Sequence, residues 1–538
     1  MKTSLLLWWG LLLAAAGTAV AAPAGLLVDL HFAGGPAIAA DTNALAFSNL
    51  WCTAEAQALR HQTLDKLARA PYDRFKQKIV PGAGDEAELF RPLLDDGLNA
   101  EWFFQMREAT NGAPQCSLAI HLPVGRARLW ETNLATALAA WTGLSVQQNP
   151  SGWILKKHVP PNLIGFVRAG DWVVLGCGQD ELSLSGEMVK RIQAGQRPAP
   201  VETNAWLTAD LDWPRLYTWL PAFKALDLPE VRVRLTGQDG NLRWNGKLIF
   251  PQPLALTLEP WRMPMKTINM PLGSFAAVRG IAPWLQKQAW WQPYASSLLP
   301  NQLFIWSVDQ MALQTFAAAP VANGKKVIAE LGQKFSAHTN QLKGFELPLT
   351  TDATNDQISW RGIPMVAPNL QLLQESSGDY LFASVFPNVP PNRPLPPDLL
   401  DQLASSNLVY YHWEVTSERL KQLPQLTQLV LMLTRHRQLD VKSPAGKWLN
   451  QIGPSLGNTV TEIKQTAPNE LTLHRKAPAG FTALELIALA SWLEATNFPG
   501  CNLDLPPPFR RRRPPTQPTN APPAQVPVAS PAAPRSAP

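Results

Sequence analysis

The sequence predicts an α+β fold: several repeated modules of antiparallel sheet with helices packed on one face, then a disordered Pro-rich C-terminal tail. Three observations predict it. Short runs of strand-like alternation recur along the chain. Helix-like stretches follow most of them. Hairpin pairs with turn residues between them come next.

The strand-like runs are Leu26–Phe32, Cys116–Leu122, Ala205–Leu211, Leu303–Val308 and Leu408–Val415, starting about 90 to 105 residues apart. The helical stretches are Asn43–Arg69, Leu129–Trp141, Arg215–Leu226, Val327–Ser336 and Ser417–Arg435, with Thr482–Thr496 as the last helix. Asp41 or Thr42 can cap Asn43–Arg69, and Leu45, Leu59, Leu64 and Leu67 give it an apolar stripe. Val231–Leu235 and Leu242–Leu248 flank Asp239-Gly240, a strong two-residue turn signal. Ile164–Val167 pairs with Trp172–Leu175 across Ala169-Gly170, and Thr459–Lys464 with Glu470–Arg475 across Ala467–Asn469. A Pro-broken apolar strand is expected at Leu254–Leu258.

The two ends differ in kind from this body. Met1–Ala21 has Lys2, an apolar run from Leu5 to Ala16 and Ala19-Val20-Ala21, the pattern of an export signal cut after Ala21. The run is short for a membrane span of about 20 residues, so no span is expected after cleavage. Pro506–Pro538 is Pro-rich and cannot form a core. It carries Arg510, Arg511, Arg512 and Arg513, candidates for contact with an anionic envelope surface. Without Lys2, these arginines and Arg535, the remaining Lys+Arg equal the 41 Asp+Glu. The sequence pI of 9.1 thus belongs to the ends, and nucleic acid is not an expected partner. The expected organisation is a signal peptide at 1–21, α+β domains at 22–200, 201–390 and 398–505, and the tail at 506–538. Pro387–Pro397 reads as a linker.

Export would place Cys52, Cys116, Cys177 and Cys501 in an oxidising compartment, where one or two disulfides can form; buried unpaired thiols are the alternative reading. Spacing does not choose the pairing. There is no zinc-type cysteine pair, no H-E-x-x-H, no G-x-S-x-G and no Walker-type loop. No metal, cofactor or catalytic residue is assigned. His31 and His121 fall at matching places in the first two strand units, and are expected to face solvent. Asp210 and Asp212 share a strand face, two carboxylates being too few for calcium. Tryptophan stands out, with 21 residues; most are expected to fill sheet–helix interfaces. Trp290, Trp291 and Tyr294, between Pro283 and the chain beyond Pro293, form the candidate ligand-binding patch. The expectation is an exported periplasmic, envelope or extracellular protein. It would bind or scaffold an envelope protein, glycan or apolar ligand. The alternatives are an exported hydrolase with dispersed catalytic residues, or a carrier of an apolar molecule.

Overall fold

The computed structural model describes residues 25–500 except 76–85, 110–111, 159–161, 203, 269–270, 290, 309–313, 340–349, 355, 362–366, 385–396 and 423–439. Met1–Ala21, the tail with Arg510–Arg513, Cys501, Trp290 and nearly all of Pro387–Pro397 lie outside the described residues.

Among the described residues, twenty strands form one sheet, and every pairing in it is antiparallel. The first ten are β1 (Leu26–Phe32), β2 (Trp102–Glu108), β3 (Pro114–His121), β4 (Gln147–Asn149), β5 (Gly152–Lys156), β6 (Leu163–Ala169), β7 (Trp172–Gly178), β8 (Leu207–Asp212), β9 (Glu230–Gln238) and β10 (Asn241–Ile249). The rest are β11 (Leu272–Arg279), β12 (Gln302–Val308), β13 (Thr315–Val321), β14 (Thr350–Ala353), β15 (Gln357–Arg361), β16 (Asn369–Glu375), β17 (Gly378–Ser384), β18 (Leu408–Val415), β19 (Asn458–Ala467) and β20 (Glu470–Ala477). All five strand-like runs and all three hairpins read from the sequence are present.

The spatial order is 4-5-6-7-3-2-1-8-9-10 in the first half and 14-15-16-17-13-12-11-18-19-20 in the second. The two orders are the same with ten added to each number. The chain is therefore a ten-strand unit built twice, and β10 pairs with β20 to join the copies. Asn245 lies opposite His474 in that pair, and equivalent positions in the two copies lie outward from it in step. A local two-fold axis passes between these residues, whose side chains are 3.0 Å apart (Asn245 Oδ1 to His474 Nδ1). The runs that recur about every 100 residues in the sequence are β1, β3, β8, β12 and β18, and of these only β8 and β18 are equivalent in this longer repeat.

Helices fill the connections. In the first half α1 (Gly35–Ala40), α2 (Leu45–Trp51), α3 (Ala54–Phe75) and α4 (Glu86–Asn99) lie between β1 and β2, α5 (Val124–Thr142) follows β3, α6 (Ser183–Gln193) follows β7 and α7 (Trp213–Leu216) follows β8. In the second half α8 (Ala282–Lys287) lies between β11 and β12, α9 (Gly324–Thr339) after β13, α10 (Pro397–Leu403) before β18, α11 (Pro444–Ile452) before β19, and α12 (Ala483–Glu494) after β20. A capping box, Thr482 with Glu485, starts α12. The predicted helix Asn43–Arg69 is split because Thr53 Oγ1 accepts from Ala56 N–H and starts a new helix there. Arg215–Leu226 gives only α7 and a 3₁₀ turn over Pro221–Leu226, since Pro221 has no N–H to continue a helix. Leu254–Leu258 forms no strand. Of Ser417–Arg435, residues 417–422 are described, and they are helical.

Helices cover both faces of the sheet, which corrects the one-face expectation. Neighbours on a strand point to opposite faces. Ile120 and Val173 pack with Ala127 and Trp130 of α5, whereas Ala119 and Val174 pack with Met188 of α6.

The register also shows why the duplication is hard to see in sequence. On one face the first unit presents Ser117, Gln105, Asp29, Asp210 and Arg232 in one cross-strand row. The matching row of the second unit is Phe316, Trp306, Phe275, Trp413 and Val460. On the other face Leu30, Ala209, Val233 and Gly246 correspond to Ala276, His412, Thr461 and Arg475. The two copies thus place their main cores on opposite faces of one sheet.

Candidate functional site

The polar face of the first unit gathers most of its chemistry-bearing side chains. At one end, β1 and the start of β2 bring His31 beside Glu101: His31 Nε2–H donates to Glu101 Oε1 at 3.0 Å. Arg197, from the segment between α6 and β8, reaches the same oxygen at 3.2 Å. Burial works against ionising Glu101. The His31 hydrogen bond and the charges of Arg197, His31 and His121 outweigh it and hold the carboxyl below its usual range. His31 is 4% exposed and stacks on Phe103 at 4.4 Å; its Nδ1 is buried without a hydrogen-bond partner among the described residues. His31 is therefore not solvent-facing. His121 is exposed, with its ring 5.0 Å from that of Trp172. The two matching histidines do converge, through Glu101.

One step along the strands, Asp29 and Asp210 lie directly opposite on β1 and β8. Such pairs hold their Cβ atoms about 4.5–5.5 Å apart. Gln105 Nε2–H donates to Asp29 Oδ1 at 3.1 Å. Burial raises the Asp29 carboxyl, against the Gln105 hydrogen bond and the His31 charge. Asp210 is pushed up to about 7: burial comes first, and Arg232 opposes it, while Asp29 and Glu230 add to it. The sequence paired Asp210 with Asp212, but Asp212 caps α7 through Arg215 N–H.

At the far end an open cleft of about 420 Å³ is lined by Gly25, Arg107, Glu108, Gln115, Glu181 and Arg215, among others. Arg107 forks onto Glu187 at 2.7 and 3.0 Å. Arg215 reaches Glu108 at 3.3 Å and Asp212 at 3.4 Å. Glu181 accepts from Gln115 Nε2–H at 2.7 Å; no described cationic side chain forms an ion pair with it. Beside Gln115, Cys116 is bonded to Cys177 across β3 and β7. Cys52 is exposed and has no disulfide partner among the described residues.

In the second unit, charged groups are buried beneath α12. Glu414 accepts from Ala483 N–H at 2.8 Å, and Arg475 forks onto Glu485 at 2.7 and 3.0 Å. Burial and the Arg475 charge lower His412 to about 4. Burial pushes the phenol of Tyr410 up to about 12.

Of the sequence-assigned ligand patch, Trp291 and Tyr294 are half-buried. Trp291 Nε1–H donates to Leu298 O at 3.0 Å, and Tyr294 packs on Phe335 of α9 at 5.1 Å. Many other tryptophans fill the interior, Trp153, Trp306 and Trp448 completely. Glu101, Arg197, Arg107, Arg215 and Glu181 carried no sequence signal, because strands and loops far apart in the chain bring them together. Among the described residues no group of three or more His, Cys, Asp or Glu side chains could hold a metal ion, and no helix is long and apolar enough to cross a membrane. No family model matches this chain, and neither a curated protein nor a solved structure matches it.

Proposed function

We propose that the protein is exported to the cell envelope and works there as a binding or scaffold protein. The observation that supports this best is the Cys116–Cys177 bond between neighbouring strands, taken with the signal-like Met1–Ala21. A cross-strand disulfide fits a chain that folds in an oxidising compartment. The duplicated sheet supports a scaffold role, since it presents polar surface from many strands on a rigid frame. A partner protein, glycan or apolar ligand would engage this body. The Arg510–Arg513 cluster would touch anionic envelope surfaces. The apolar-carrier version is weakened, because Leu254–Leu258, one wall of its pocket, forms no strand.

The Asp29–Asp210 pair favours a second reading, an exported hydrolase. A carboxyl that holds its proton near neutral pH beside another carboxyl is suited to acid–base work. Mass spectra of the protein purified from its exporting host test the main reading. The denatured, non-reduced mass should show cleavage after Ala21 and at least one disulfide. A native mass with an added component would identify what the body holds. An uncleaved, fully reduced chain would refute export.

A further inference from the structure

The outer side of the last helix carries no charge. α12 packs Ala483, Leu486 and Ala490 inward with Trp448, Leu449 and Ile452. Its exposed residues are Leu484, Ala488 and Ser491, which form one line along the helix. A surface helix normally carries charged and polar side chains on that side. The helix has two charged residues, and both are engaged elsewhere. Glu485 accepts from Arg475 and from Thr482 N–H, and Glu494 accepts from Gln62 and from Ala445 N–H. Leu484 is 65% exposed, more than any other large apolar side chain described. A single exposed leucine means little. A water-facing helix whose whole outer line is uncharged marks a contact face.

The sequence that follows the helix indicates the partner. Beyond Asp504 it has no acidic residue, and it carries Phe509 and then Arg510–Arg513. Each arginine near an anionic head-group surface is worth about 5-fold in binding. An acidic polymer would satisfy the arginines but offers nothing to Leu484. A bilayer offers both an anionic surface and an apolar phase beneath it. We infer that α12 lies against an anionic lipid bilayer through Leu484, Ala488 and Ser491, with Arg510–Arg513 as the electrostatic half of the same contact. The inference rests on the reading of those arginines as an anionic-surface contact. It deepens that reading by naming lipid as the surface and α12 as the face that meets it. Neither half suffices alone, because the apolar contact is shallow and the arginine contact is screened by salt. The contact is peripheral, since α12 has 12 residues against the about 20 that a span requires.

The experiment floats the purified exported protein with two kinds of vesicle, phosphatidylcholine alone and equal parts phosphatidylcholine and phosphatidylglycerol. At low salt it should bind the anionic vesicles at least about 10-fold more tightly than the neutral ones. Leu484→Gln with Ala488→Gln should weaken that binding about 5-fold or more, from the leucine surface that no longer leaves water. The urea midpoint of this variant should be unchanged, because both side chains are exposed. Leu484→Trp should tighten the binding. Alanine at all four of Arg510–Arg513 should remove the preference for anionic vesicles. Binding that the arginine variant abolishes and neither α12 variant moves would overturn the helix face and leave the arginine reading standing. Equally tight binding to a soluble polyuronate, again indifferent to Leu484, would overturn lipid as the surface. No binding to anionic vesicles, or binding that the arginine variant leaves unchanged, would overturn the inference together with the arginine reading.

Discussion

Asp210→Asn should make this protein more stable, by an amount that grows as pH rises from about 4 and is complete above about 7. Asp210 faces Asp29 across β1 and β8, and its carboxyl sits at about 7 against an ordinary 3.8. Below pH 3.8 the folded and unfolded chains both hold the proton. As pH rises, the unfolded chain ionises first while the folded one resists, so native stability falls until both are ionised above about 7. The displacement is worth at most about 4 kcal/mol. Residual solvent contact reduces this to about 1–3 kcal/mol. Asparagine keeps the shape and has no charge to bury. Urea unfolding at pH 8 should therefore show Asp210→Asn more stable than wild type by about 1–3 kcal/mol, and at pH 3.5 the two should agree within about 0.5 kcal/mol. Asp29→Asn relieves the same repulsion, so the double variant should gain less than the sum of the singles. An equal effect at both pH values, or destabilisation at pH 8, would refute the argument. A pair that costs stability where the protein works is also what a functional site looks like.

Three further outcomes follow from other buried groups. His412, held near 4, should make the wild type lose about 2–3 kcal/mol as pH falls from 6.5 to 4, because the unfolded imidazole takes its proton first; urea unfolding at pH 7 and 4.5 should show that slope flattened in His412→Asn. Arg279, 3% exposed, donates to the carbonyls of Leu408, Glu259, Ser405 and Ser406 and lies 4.5 Å from the Trp261 ring. Arg279→Met orphans those carbonyls and should cost about 3–5 kcal/mol by denaturant titration; a loss under 1 kcal/mol would contradict this. Removing the Cys116–Cys177 bond with two alanines frees a loop of sequence separation 61 and should cost about 4 kcal/mol on the chain-entropy argument, measured against the wild type without reductant.

Local elements were legible where local chemistry dictates them. Asp239-Gly240 can take the positive φ that a tight hairpin needs (52° and 69°), and that hairpin is present. The capping box at Thr482 and Glu485 starts the last helix near its predicted place. The ten-strand repeat was not legible. Its copies have the same connectivity but opposite buried faces, so Asp29 matches Phe275 and Val233 matches Thr461. Most equivalent positions in these rows then share neither hydrophobicity nor side chain, Leu30 and Ala276 being the apolar exception. The one-face packing of helices failed for a related reason: residues 119 and 120 are both apolar, and alternation alone does not show that each faces a different helix. The candidate site was half legible. Asp29-Leu30-His31 and Ala119-Ile120-His121 placed two histidines at matching strand ends, but Glu101 and Arg197, which join them, follow only from pairing strands far apart in sequence.

Hydrogen–deuterium exchange along β10 and β20 tests the central claim, that two ten-strand units share one sheet through this pair. Because both strands are interior, their amides should exchange at least as slowly as those of β9 and β19 and far more slowly than those of the edge strands β4 and β14. Edge-like exchange in β10 and β20, with β9 and β19 still protected, would mean that the two units do not pair there, and the account of a single duplicated sheet would fail.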